Sequence, residues 1–241
     1  MSAPLLDLTG VTKRFGGVVA NRAISFAVAP GEIVGVIGPN GAGKSTLFDV
    51  ITGFYRPDAG AVRFAGEAIT GLRPDQINRR GIGRTFQKLR PFAGMTVLEN
   101  VAVGALLREP RPEAAREAAR RCLALVGLED RAGAFARELS TGQRKRLEMA
   151  RAMATAPRLL LLDEVTGGVD QRSIPALVAL IGRLRDGGVT LVVIEHNMRV
   201  IMAVATRIVA LHLGEKIADG APADVVRDRA LIEAYLGSAY A

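Results

Sequence analysis

The stretch Ile33-Val34-Gly35-Val36-Ile37-Gly38-Pro39-Asn40-Gly41-Ala42-Gly43-Lys44-Ser45-Thr46 decides the fold. Residues 33–37 are apolar without alternation, the pattern of a parallel strand buried on both faces. Residues 38–46 fit G-x-x-x-x-G-K-[ST], the phosphate-binding loop, and Leu47-Phe48-Asp49-Val50-Ile51 can continue as a helix. Glycines let the backbone wrap closely around phosphate oxygens, and the amides then converge on the anion at a helix N-terminus. In such a loop Lys44 reaches the β and γ phosphates and the Ser45 hydroxyl ligates Mg²⁺. A Gly-rich turn carrying a solvated lysine is the alternative. The pattern arises by chance in only about one chain in a hundred of this length, and the flanking strand and helix make chance rarer still. A nucleoside triphosphate site is expected.

Composition narrows the setting. At 241 residues, 49% of them hydrophobic, the chain suits one globular unit or one core with a smaller subdomain. No run approaches the roughly 18 apolar residues of a membrane-spanning helix, and the first residues, Met-Ser-Ala-Pro-Leu-Leu-Asp, do not read as a signal peptide. A single cysteine, Cys122, excludes an internal disulfide and suits a reducing cytosol. On a helix it would share a face with Ala115, Ala119 and Val126, so it is expected in the core. The net charge of +8 raises nucleic acid as a partner. Against that, arginines supply nearly all of the 32 basic residues without a run of five like charges, and aromatics make up only 5%. Stacking platforms are therefore poor, and no nucleic-acid partner is expected.

Before the loop, residues 6–13 and 24–28 alternate as antiparallel strands, with Phe15-Gly16-Gly17 between them. After it come a short strand at 61–64, a helix at 74–80, and a strand at 82–86 ending at Gln87. From about Lys88 the texture becomes helical. Residues 96–106 start with Thr96 and Glu99 in capping-box spacing. Residues 112–126 begin with Pro112 and stop at Gly127, and 142–155 stop before Pro157. Three helices in a row interrupt the αβ alternation and mark an inserted subdomain. Alternation resumes with the strand 158–164, a helix at 174–185, the strand 190–194 before Glu195-His196, a helix at 198–205, a strand pair at 207–213 and 216–219, and two closing helices. The expected class is α/β with an N-terminal antiparallel portion: one domain, its core about 1–87 and 156–241, its helical subdomain about 88–155. Ligands in open parallel sheets sit at the carboxyl ends of the strands. Loop 38–46, Gln87, Asp163-Glu164 and His196 all follow such ends.

Asp163 and Glu164 close four consecutive leucines, where charge is costly without a partner. Asp163 suits the acid that holds Mg²⁺ opposite the loop Ser45, and Glu164 then suits the base that polarises the attacking water. A strand simply surfacing into a polar loop is the alternative. His196 and Gln87, each taken alone, would be unremarkable. Their order carries the meaning: phosphate loop, Gln87, helical insert, Leu139-Ser140-Thr141-Gly142-Gln143, Asp163-Glu164, then His196. That succession resembles the ATP-binding cassette (ABC) family over nearly the whole chain, and Leu139–Gln143 looks like its signature motif.

The resemblance implies an ATPase in which two cassettes sandwich two ATP molecules head to tail. Ser140, Gly142 and Gln143 would then be supplied in trans to the γ phosphate. Asp170 matches a loop crossing the interface, and His196 the residue that contacts the γ phosphate and attacking water. Phe15 falls where an aromatic stacks on adenine, and Gln87 where Mg²⁺ coordination meets the membrane partner. The whole set is thus Phe15, Gly38, Pro39, Asn40, Gly41, Ala42, Gly43, Lys44, Ser45, Thr46, Gln87, Ser140, Gly142, Gln143 and Asp170 for nucleotide, with Ser45, Gln87 and Asp163 for the metal. Glu164, His196 and Lys44 carry the catalysis. Residues 83–87 (Gly-Arg-Thr-Phe-Gln), 95–100 (Met-Thr-Val-Leu-Glu-Asn), 146–151, 194–198 and the closing Ala234-Tyr235-Leu236-Gly237 are similar to the ATP-binding subunits of branched-chain amino-acid importers. Subunits for urea, amides or lipopolysaccharide share parts of these stretches. Two departures stand out: Thr141 replaces a usual glycine, and Val165 a usual proline. The implied partners are a second ABC subunit, identical or paralogous, integral membrane permease subunits and, indirectly, a periplasmic-type binding protein. The implied location is cytoplasmic, peripheral on the inner face of the membrane. A soluble ABC ATPase acting on DNA or ribosomes would carry a long coiled coil or a second cassette, and a P-loop kinase would leave the signature, Gln87 and His196 unexplained.

Overall fold

Apolar runs bounded by glycine and proline become strands, and the stretches of 3.6-residue periodicity become helices, over residues 3–236, the part of the chain described by the computed structural model. In chain order the first elements are β1 (Leu6–Phe15), β2 (Val18–Val28), β3 (Ile33–Ile37), α1 (Lys44–Ile51), β4 (Ala59–Phe64), β5 (Glu67–Ala68), α2 (Pro74–Arg80) and β6 (Ile82–Arg84). The helical stretch follows as α3 (Val97–Ala105), α4 (Pro112–Val126) and α5 (Thr141–Met153). The chain closes with β7 (Leu159–Asp163), α6 (Ile174–Asp186), β8 (Thr190–Ile194), α7 (Met198–Val204), β9 (Arg207–His212), β10 (Glu215–Gly220), α8 (Pro222–Val225) and α9 (Arg229–Leu236). Two units form: Met1–Ile77 with Thr190–Ala241, and Asn78–Val189. Met1 and Ser2, quoted above as the first residues, and Gly237 of the closing motif lie outside the described residues.

In the first unit β1 pairs with β2 and β4 in an antiparallel sheet that β5 extends. Beside it, β3 runs parallel to β8 on one side and β9 on the other, and β10 returns antiparallel on β9. All five residues of β3 are buried, as are all five of β8. Each buried Val, Leu or Ile side chain contributes roughly 1.5–3 kcal/mol of transfer free energy, so this central pair anchors the unit. Its register places the site. Val36 pairs with Ile194, so the phosphate loop and His196 leave neighbouring strands at the same edge. Arg207 on β9 ties the layers together. Its guanidinium forks onto Asp219 (Nε–Oδ1 2.7 Å, Nη2–Oδ2 2.9 Å) and donates to the Ala27 carbonyl at 2.9 Å.

The second unit sets β6 parallel to β7 and packs α3, α4 and α5 against one another. Here Arg84 pairs with Leu161, so Gln87 and Asp163 follow adjacent strand ends. Thr96 and Glu99 form the capping box of α3, and Gly127 ends α4 in the left-handed region. Asn100, fully buried, accepts from the Phe92 N–H at 2.8 Å and donates to the Thr96 carbonyl at 2.9 Å, which fixes the approach to α3.

Three expectations need correction. The strand expected to reach Phe86 stops at Arg84, and the Phe86 and Arg90 N–H groups beyond it donate to the Glu148 carboxylate. The buried stripe of α4 is Ala115, Ala119, Leu123 and Val126. Cys122 flanks that stripe, half-buried, and burial pushes its thiol up. Helix α5 starts one residue earlier than expected, at Thr141, because Ser140 caps it.

Candidate functional site

The phosphate loop turns on three glycines with positive φ: Gly38 at 147°, Gly41 at 81° and Gly43 at 97°. At Gly38 a Cβ would stand 2.1 Å from the Leu211 carbonyl oxygen, and at Gly43 one would stand 2.2 Å from that of Ala20. Only glycine serves at either position. Helix α1 opens from Gly43 with no side-chain cap, so its first amides are not used by a capping side chain. Lys44, buried, donates its ammonium protons to the Gly38 carbonyl at 2.7 Å and the Pro39 carbonyl at 3.0 Å. Ser45 beside it is exposed. Asn21, buried under the loop, donates to the Gly43 carbonyl at 3.0 Å. The turn between β9 and β10 braces the loop through the Gly214 N–H on the Ala42 carbonyl at 3.2 Å. Phe15 closes β1 with a half-exposed ring. Tyr55 sits edge-on to it, 5.0 Å between centroids, and Lys13 lies over it at 5.4 Å. His196, exposed, follows the buried Glu195 past the end of β8.

In the second unit Asp163 is buried at the end of β7, and its Oδ2 accepts from Arg84 Nη2 at 3.2 Å. A buried carboxylate needs such a cation to offset its desolvation. Its backbone N–H donates to Thr85 Oγ1 at 3.1 Å. Glu164 follows at φ 49°, a left-handed conformation uncommon for a non-glycine residue. The buried Lys145 ammonium donates to its carbonyl at 2.7 Å, and Gln87 Nε2 donates to its carboxylate at 2.8 Å. The structure therefore brings Gln87 and Glu164 into direct contact. Glu148 clamps the same loop by accepting from the Phe86 N–H at 3.2 Å and the Arg90 N–H at 3.3 Å. Burial pushes its carboxyl above the ordinary range against those bonds.

The signature residues begin α5. Ser140 Oγ accepts from the Gln143 N–H at 3.3 Å, and Gln143 Oε1 accepts from the Ser140 N–H at 2.9 Å, a reciprocal capping box. At Gly142 a Cβ would meet only Val169 Cγ1 at 3.6 Å, an ordinary contact. Among the described residues nothing requires glycine there. Thr141 Cγ2 lies 3.7 Å from where Gly168 would carry a Cβ, and Val165 is buried in the turn after Glu164. Asp170 turns its carboxylate onto its own loop. It accepts from the Ser173 hydroxyl at 2.7 Å and the Arg172 N–H at 3.0 Å, and the Ser173 hydroxyl leads the bonds that hold its carboxyl below the ordinary range. Among the described residues no group of three or more His, Cys, Asp and Glu forms a metal cage. Ser45 in the first unit offers a hydroxyl, and Gln87 and Asp163 in the second offer an amide and a carboxylate, each an oxygen donor of the kind a hard cation takes.

A sequence profile described as "ABC transporter" matches residues 21–167. The chain belongs to the ABC transporter family. It is an ABC-type ATPase, a nucleotide-binding subunit whose hydrolysis of ATP powers transport. A second profile, "Branched-chain amino acid ATP-binding cassette transporter", matches residues 215–241. Over 99% of the chain and the whole of the relative, this ABC ATPase is 41% identical to the high-affinity branched-chain amino acid transport ATP-binding protein BraF of Pseudomonas aeruginosa. At the same coverage it is 38% identical to LivG of Escherichia coli, which has the same description. Among solved structures, the ADP conformation of the ABC transporter cassette MJ1267 superposes with a TM-score of 0.89 at 32% identity, covering 98% of this chain and 100% of that one.

Several residues at the ABC site escaped the sequence reading. Arg84 and Glu148 entered only within the stretches 83–87 and 146–151, with no role of their own. Lys145 and Asn21 gave none beyond their polarity. Tyr235 entered only as part of the closing motif, yet its hydroxyl accepts from the Gly38 N–H at 3.0 Å.

Proposed function

We propose that this ABC ATPase drives uptake of branched-chain amino acids through separate integral membrane subunits. The observation that carries the reading is the match of residues 215–241 to the branched-chain profile, on top of the full-length likeness to BraF and LivG. None of the described helices is long and apolar enough to cross a membrane, so permease subunits supply the path and the chain works as a peripheral subunit on the inner face. A binding protein outside the membrane presents the solute to them.

In this reading the amides of loop 38–46 and Lys44 hold the β and γ phosphates of ATP, and Phe15 stacks on the base. Ser45, Gln87 and Asp163 would hold Mg²⁺, which would supply positive charge against the phosphates. Glu164 takes a proton from the attacking water, and His196 donates to a γ-phosphate oxygen. Ser140, Gly142 and Gln143 of a second copy or a paralogue close the nucleotide from the opposite side, a helix N-terminus facing an anion. Among the described residues a Cβ at Gly142 would meet only an ordinary contact, which supports a demand for glycine from that facing surface. Asp170 shapes the loop that meets the partner. In the second unit, a cavity of about 200 Å³ lined by Phe86, Val103, Gly104, Glu148 and Arg151 adjoins the exposed rings of Phe86 and Phe92. With its mixed lining and the exposed rings, it offers the permease a seat next to Gln87.

The test is reconstitution with the neighbouring membrane subunits and binding protein in liposomes loaded with ATP. Leucine, isoleucine or valine is expected to enter and to stimulate phosphate release. Stimulation by urea or a short amide, with none by the branched amino acids, would move the chain to the related importer class.

A further inference from the structure

Tyr235 stands on α9, and the amide it meets belongs to the first residue of the phosphate loop. Gly38 is the point at which β3 becomes that loop. Its two adjoining peptide planes have different anchors. The plane before it is held by the Tyr235 hydroxyl, which accepts from the Gly38 N–H at 3.0 Å. The plane after it is held by Lys44, which donates to the Gly38 carbonyl at 2.7 Å. Lys44 is also the cation assigned to the β and γ phosphates. Nucleotide that draws the ammonium away weakens the second anchor and leaves the first.

The phenol is itself located by packing. Its ring lines an apolar groove of about 410 Å³ with Met198 and Met202 of α7 and Val226, Leu231 and Ile232 from the C-terminal turn and helix. Burial holds the hydroxyl above its ordinary range, against the Gly38 bond, so it remains protonated through neutral pH.

We infer that Tyr235 is a positioning residue for nucleotide binding: the C-terminal helix uses its hydroxyl to fix the first peptide of the phosphate loop, and so sets nucleotide affinity without touching the nucleotide. The inference rests on loop 38–46 being the nucleotide site, and it gives the segment shared with branched-chain importers a physical role.

Tyr235→Phe removes one oxygen and leaves the ring in its groove. The dissociation constants for ATP and ADP, measured by titration calorimetry on the full chain, are expected to rise about threefold to tenfold, the effect of one lost hydrogen bond. KM for ATP should rise by the same factor with kcat within twofold, and the unfolding temperature should fall by no more than about 4 °C. Tyr235→Ala should weaken nucleotide at least as much. Wild-type affinity in Tyr235→Phe overturns the inference, even if Tyr235→Ala binds poorly, because the ring and not the hydroxyl would then matter. A fall in kcat at unchanged KM overturns it too. A wild-type chain that fails to bind nucleotide would instead overturn the assignment of the loop.

Discussion

Glu164 holds φ 49°, and the left-handed region costs a residue with a Cβ about 1–2 kcal/mol. The Lys145 bond to its carbonyl and the Gln87 bond to its carboxylate hold it there. Glu164→Gln keeps the shape and removes the proposed base. Phosphate release is expected to slow by orders of magnitude while ATP still binds, and single-turnover hydrolysis with equilibrium binding checks both. A wild-type rate would remove Glu164 from the role. The glycines give a sharper contrast. Gly43→Ala places a Cβ 2.2 Å from the Ala20 carbonyl oxygen at φ 97°, so nucleotide binding should be lost and stability should fall by about 2 kcal/mol or more. Gly142→Ala meets only an ordinary contact and should leave the melting curve within about 0.5 kcal/mol of wild type. Denaturant titration of both variants tests the pair. The loop was readable because its chemistry is contiguous in sequence. Tyr235 and Arg84 were not, because their partners lie 197 and 79 positions away and nothing local to either residue names them.

Elements with their own punctuation were legible to within a residue or two. Pro112 and Gly127 bound α4, and Thr96 with Glu99 opens α3, because caps and breakers act through neighbouring backbone. The strand end at Arg84 was misjudged, and the Phe86 amide beyond it donates to a carboxylate on α5. Ser140 was read for its chemistry alone, though its spacing to Gln143 also spells a capping box. The β9–β10 hairpin has a contact no pattern announces, the Arg207 fork on Asp219 with Lys216 Nζ adding a bond at 2.8 Å. Burial alone would raise the Asp219 carboxyl, but these bonds outweigh it and hold the group below its ordinary range. A carboxyl lowered in the folded state contributes stability above its unfolded pKa of about 4 and loses it as pH falls through the folded value. Asp219→Asn should therefore cost about 1–3 kcal/mol at pH 7 and progressively less than that as the pH drops below 4. Urea unfolding midpoints at pH 7 and below pH 4 give the comparison, and an equal loss at both would mean the pair works by packing alone.

At the scale of the whole molecule, the ABC chain carries both a phosphate loop and a signature helix, and each is built differently. Gly38 and Gly43 of the loop are required by their own surroundings, whereas Ser140 and Thr141 are exposed and Gly142 has room beside it. In the proposed reading this exposed surface serves when ATP on one copy meets the signature of another. Ser140→Arg places a long cation at the start of α5 in place of the hydroxyl that caps it. Losing the cap costs about 1 kcal/mol, too little to unfold the chain. Its bulk would instead stand where the facing nucleotide must close. In a Glu164→Gln background, where ATP persists, light scattering should show an ATP-dependent dimer, and adding Ser140→Arg should return it to monomer with ATP affinity retained. Loss of ATP binding by the monomer would mean that Ser140 serves the nucleotide of its own chain, and a dimer that survives the arginine would mean that the signature does not face the nucleotide at all.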